Sequence, residues 1–94
     1  MRPLRWTNHV IVRLLQRGIS MDDVVCALIS GEIIEEYSHD YPYPSCLVLG
    51  LAINKKHLHI VCGTGGGELW LIAAYYPSAD EWENDYKTRK GSVQ

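Results

Sequence analysis

His9, Arg13 and Arg17 stand four residues apart near the start of the chain. An α-helix turns about 100° per residue, so a four-residue step returns to nearly the same face. A helix over this segment carries one proton-transfer group and two permanent cations in a row, with Trp6, Val10, Ile11, Leu14 and Leu15 on another face. Such a row suits phosphate. It also suits plain water, the commoner surroundings of a charged helix face. Further along come His59, Tyr75 and a basic tail of Lys87, Arg89 and Lys90. These residue types are sufficient for RNA cleavage without a metal or any other cofactor. A base takes the 2′-hydroxyl proton, cations hold the charged phosphorane, and an acid protonates the leaving 5′-oxygen. His, Tyr and Lys all transfer protons, and Tyr also stacks on bases. Tyr75 is equally at home as an ordinary strand aromatic.

Other chemistries find less support. His57 and His59 are two apart on one strand and share a face, but no patterned third ligand accompanies them, so no metal site is expected. Thr64-Gly65-Gly66-Gly67 lacks the Gly-Lys-Ser/Thr ending of a phosphate loop and is followed by a strand, which makes it a hairpin turn. No nucleophile-elbow pattern is present. Cys26, Cys46 and Cys62 are odd in number, far apart and flanked by apolar residues; they read as buried free thiols of a reducing cytoplasm. The adjacent acids Asp22-Asp23 and Glu35-Glu36 read as a helix start and an exposed strand edge.

The net charge of −2 hides a segregation. Residues 1–17 hold four arginines and no acid, while residues 18–45 hold six acids and no Lys or Arg. Residues 68–86 hold five more acids, and the last eight residues are basic again. A fold that joins the two ends makes a local basic patch, and the local field decides whether a polyanion docks.

These residues need elements to position them. With 47% hydrophobic and 21% charged residues, the 94-residue chain reads as one globular domain over 1–94, loose after about residue 88. No apolar run is long enough for a membrane span, and the N-terminus has no signal-peptide pattern. Thr7 caps a first helix over about 7–17, ended by Gly18. Ser20 caps a second, which runs to Gly31. Strands are expected over 32–38, 46–53, 57–63 and 68–76, with a Pro-containing loop at 39–45 and Gly50 marking a bulge. Ser78 or Asp80 caps a short final helix carrying Trp82 and Tyr86. The order is α+β: two N-terminal helices on a four-stranded antiparallel meander, with a short C-terminal helix.

The order of residues resembles a bacterial family labelled domain of unknown function 4258. The carrying segments are His9…Arg13…Arg17-Gly18-Ile19-Ser20, Asp23-Val24…Ala27-Leu28…Gly31-Glu32-Ile33-Ile34-Glu35, Tyr43-Pro44…Leu47-Val48-Leu49-Gly50, Leu58-His59-Ile60-Val61, Tyr75…Pro77 and Trp82 with Arg89-Lys90. That family is similar to the RelE, BrnT and MqsR ribonuclease toxins. The resemblance implies a RelE-like toxin fold, the toxin role of a type II toxin-antitoxin pair, and metal-independent RNA cleavage on free or ribosome-bound RNA. It also implies a zinc-finger antitoxin of the YgiT kind as partner. The catalytic set maps onto His9, Arg13, Arg17, His59 and Tyr75, with Lys87, Arg89 and Lys90 holding RNA. The competing reading is a non-catalytic module that binds RNA or a partner protein.

Overall fold

The computed structural model describes residues 4–39, 43–65 and 67–91. Expectations that fall on residues 1–3, 40–42, 66 and 92–94 lie outside the described residues; these include part of the Pro-containing loop and one glycine of the 64–67 turn.

Two helices open the fold. α1 spans Asn8–Gln16 and α2 spans Met21–Ser30. Thr7 caps α1, its Oγ1 accepting from the Val10 N–H at 3.3 Å. The end of α1 satisfies its last carbonyls in a Schellman motif. Gly18 takes the left-handed conformation at φ +71, its N–H donates to Leu15, and the Ile19 N–H donates to Leu14 at 2.9 Å. Two residues later Ser20 and Asp23 form a reciprocal capping box, with both bonds at 3.0 Å. The second oxygen of Asp23 accepts from the Ile53 N–H at 3.0 Å, which ties the start of α2 to the sheet.

The sheet has five strands in the order β1-β5-β4-β3-β2. β1 is Leu4–Arg5, β2 Glu32–Tyr37, β3 Ser45–Leu51, β4 His57–Gly65 and β5 Glu68–Tyr75. β2 to β5 form the expected antiparallel meander. The expected four-stranded antiparallel sheet needs correction, because β1 adds a fifth strand parallel to β5. Its two residues are too few to show a period in sequence. They cover β5 only at Leu69 and Trp70, so Leu71 to Tyr75 lie beyond the strand pairing on that edge.

The core lies between the helices and one sheet face. Val10, Leu14, Ile19, Val24 and Ala27 meet Val48, Leu58, Ile60, Cys62, Leu71 and Ala74. Leu15 and Trp6, expected on the apolar side of the first helix, are instead 72% and 45% exposed. Gly50 is not at a bulge; it pairs regularly with Leu58. A Cβ there would sit 1.9 Å from the Ala27 carbonyl oxygen, so the glycine is what lets α2 lie directly on β3. The bulges fall elsewhere, at Ile33/Glu35 and opposite Val61/Cys62. The second leaves Ile72 as the extra residue of β5.

The expected C-terminal helix is also corrected. Residues 76–91 form a strap of turns and a single bridge, Trp82 with Arg89. Ser78 begins one turn, its carbonyl accepting from the Glu81 and Trp82 N–H groups, but the helix does not continue. Burial of Trp82 to 2% exposure against the sheet outweighs local propensity for a helix. The strap stays engaged past residue 88, where the Lys90 N–H donates to the Glu81 carbonyl at 2.8 Å.

Candidate functional site

The stripe of three side chains at four-residue spacing survives, with His9 and Arg13 on α1 and Arg17 as its C-cap. His9, Arg13 and Arg17 are exposed, while Val10 and Leu14 between them enter the core. The stripe borders a groove of about 190 Å³ whose other wall is Ile72, Ala73 and Ala74 of β5. The bulge turns Ile72 outward to 50% exposure, and the two alanines keep the groove open. Arg17 donates from Nη1 to the Ala74 carbonyl at 2.9 Å, which anchors its guanidinium against the uncovered edge of β5. The three salt bridges among the described residues are Arg5–Glu68, Lys87–Glu32 and Arg89–Glu35. Neither Arg13 nor Arg17 takes part in them. Two guanidiniums without a carboxylate partner, beside an exposed imidazole, can hold a phosphate bidentately.

His59 lies elsewhere. Side chains alternate along β4, so Leu58, Ile60 and Cys62 face the helices while His57 and His59 face the other way. The strap covers that second face. His59 is fully buried, edge-on to Trp82 at 4.5 Å and to Tyr75 at 5.4 Å between ring centroids. A carbonyl only accepts, so its 2.8 Å contact with the Tyr86 carbonyl makes Nε2 the protonated nitrogen. Nδ1 is buried without a hydrogen-bond partner. Burial holds the imidazole pKa below its ordinary value, against the opposing pull of the Tyr86 carbonyl and Glu35. The stripe and His59 therefore occupy opposite faces of the sheet. Tyr75 lies beside His59, and the charge of Arg17 still reaches it; burial raises its phenol pKa.

The basic tail is drawn to the acids of β2. Arg89 makes a bidentate pair with Glu35, at 3.0 Å from Nε and 3.1 Å from Nη2, and lies 4.6 Å over the Trp82 ring. The pair lowers the Glu35 pKa and raises that of Arg89, and Tyr37 also donates to Glu35. Lys87 pairs with Glu32 at 2.6 Å, which raises its pKa. Two of the three residues expected to hold RNA thus fasten the strap to the sheet, and Lys90 is exposed beside them. The acids of β2, expected only at an exposed strand edge, instead anchor the strap. The signal was the charge segregation itself: an acidic strand and a basic tail in one small domain attract each other.

The thiols are free, and burial pushes Cys62 up to about 12. Among the described residues no three His, Cys, Asp or Glu side chains gather as a metal site would. Among the described residues no helix is long and apolar enough to cross a membrane.

A family model described as Domain of unknown function (DUF4258) matches residues 6–76, which span both helices, the whole sheet after β1, and the groove. Comparison with curated proteins and with solved structures returns no match.

Proposed function

The chain belongs to the DUF4258 family of domains of unknown function, and on that premise we propose that it is a metal-independent, RNA-cleaving toxin domain. The observation that carries this reading is the groove between α1 and the edge of β5, where His9, Arg13 and Arg17 stand exposed and unpaired with acids. In it Arg13 and Arg17 clamp one phosphate and stabilise the charge that builds on the phosphorane. His9 takes the proton of the 2′-hydroxyl, whose oxygen attacks phosphorus. Solvent supplies the proton to the 5′-oxygen as the P–O bond breaks, because Tyr75 pairs with His59 on the strap face and does not line the groove. His59 stands behind Tyr75 and touches its ring rather than the substrate.

The layer arrangement, two helices on a largely antiparallel sheet, supports a RelE-like toxin core, and this reading sets the protein in a bacterial cytoplasm. In that setting the partner is a zinc-finger antitoxin of the YgiT kind, and the substrate is free or ribosome-bound RNA. Induced expression in a bacterium tests this reading: growth should stop, and co-expression of a neighbouring antitoxin should restore it.

A second reading is a module that binds RNA without cutting it. The burial of His59 favours it, since one of the two candidate histidines is covered by Trp82 and Tyr86. Unimpeded growth together with retained RNA binding would select this reading.

A further inference from the structure

On the strap side, Lys56, His57, Tyr76, Pro77 and Tyr86 enclose an open pocket of about 350 Å³. We propose that this pocket is a stacking subsite for an unpaired base of single-stranded RNA; the inference rests on the RNA reading of the α1 groove and adds the base to the phosphate. The two sites meet at the C-terminal end of β5. Ala74 lines the groove and Tyr76 lines the pocket. Two residues of extended chain put Ala74 and Tyr76 about 7 Å apart along the backbone, roughly two stacked nucleotides at ~3.4 Å each. An RNA strand whose phosphate sits on Arg13 and Arg17 reaches the pocket by passing the end of β5.

The chemistry of the lining fits a base. The Lys56 ammonium sits 5.9 Å from the centroid of the Tyr76 ring. The Tyr86 ring lies against His57 at 4.7 Å with a 33° tilt. None of the lining side chains is acidic, so nothing on the walls repels a phosphodiester. Aromatic faces beside a cation are the usual platform for single-stranded nucleic acid, because every base has a π-face.

The pocket is also built at some conformational cost. Tyr86 adopts φ +57, a left-handed conformation that a tyrosine rarely takes. The surrounding structure holds it there. Its N–H donates to the Glu83 carbonyl at 2.9 Å, and its carbonyl accepts from buried His59. Glu83 in turn donates to Thr88, and Arg89 and Lys87 pin the strap to β2. A strained residue over-determined by its neighbours marks a place where side-chain direction matters. Here the outcome is a tyrosine ring delivered onto His57.

The experiment measures binding of a labelled, 2′-O-methylated oligoribonucleotide, which cannot be cut, and of an abasic ribose-phosphate strand of equal length. Wild type should prefer the base-bearing strand. Tyr86→Leu should weaken that strand by about tenfold and leave the abasic strand unchanged. The backbone carbonyl that His59 holds remains in this variant. His57→Ala, an exposed substitution, should give a smaller loss of the same kind and serves if Tyr86→Leu does not fold. Equal affinity of wild type and both variants for the base-bearing strand, with Arg13→Ala weakened, overturns the subsite and leaves the RNA reading standing. No binding of either strand by wild type overturns both.

Discussion

Replacing Gly50 with alanine should be the most damaging single-methyl change in the sheet. The added Cβ would lie 1.9 Å from the Ala27 carbonyl oxygen, 2.6 Å from its carbon and 2.8 Å from its Cα. All three are backbone atoms of α2, so no side chain can swing aside. To reach an ordinary separation of about 3.5 Å, the helix must retreat by roughly 1.5 Å. That retreat loosens Val24 and Ala27, both fully buried, and stretches the Ser30 and Asp23 hydrogen bonds to Leu51 and Ile53. Overpacking at a rigid site costs about 3 kcal/mol or more. For a domain of this size that lowers the melting temperature by roughly 12–24 °C, at about 4–8 °C per kcal/mol. Gly18→Ala supplies the contrast. Gly18 has φ +71 and nothing within 4 Å, so its cost is conformational alone, about 1–2 kcal/mol. Urea unfolding of the two variants beside wild type decides the matter. If Gly50→Ala lost no more than Gly18→Ala, helix α2 could not rest on Gly50 as described.

Other expected outcomes follow from the site. Arg13→Ala should abolish RNA binding while changing stability by less than about 0.5 kcal/mol, because the side chain is exposed and outside the ion pairs. Arg17→Ala should also cost about 1 kcal/mol, since it deletes the bond to the Ala74 carbonyl; equal melting points for the two variants would refute that anchor. In an NMR titration His59 should titrate below its ordinary value of 6.5. The unfolded chain then takes up a proton that the folded chain refuses, so stability present above pH 6.5 is lost as pH falls toward the folded value. Glu35, whose pKa is also depressed, adds a lower limb below 4.5 that Glu35→Gln should remove; an unchanged acid limb would mean that the Arg89 pair is not maintained in solution. Cys62, with a thiol pushed up to about 12, should resist alkylation at neutral pH until the protein unfolds, and rapid labelling in the native state would contradict its burial.

Much of the architecture was legible in the chain because its signals are local. Thr7, Gly18, Ser20 with Asp23, and Gly31 mark helix ends through short-range hydrogen bonds, and the structure uses all four. Helical spacing placed His9, Arg13 and Arg17 on one face. Period-two alternation placed His57 and His59 together and away from Leu58 and Ile60. What escaped was long-range. β1 is two residues long and gains its strand from β5, more than sixty residues away in sequence. Ser78 begins a turn, but the place where Trp82 and Arg89 settle depends on His59 of β4 and on Glu35 of β2. Burial of His59 follows from that same strap, so its residue type alone suggested a proton carrier. Gly50 reads in sequence as a bulge, yet its reason is a helix crossing above it.

The central claim is that the α1 groove handles RNA phosphate chemistry, and the most direct measurement is end analysis of RNA incubated with the purified protein, alone and with ribosomes. The expected result is cleavage that survives a strong chelator, leaves 2′,3′-cyclic phosphate ends, spares DNA and 2′-O-methylated RNA, and disappears in folded Arg13→Ala and Arg17→Ala proteins. Intact RNA in both formats, or cleavage that persists undiminished in both arginine variants, would contradict it.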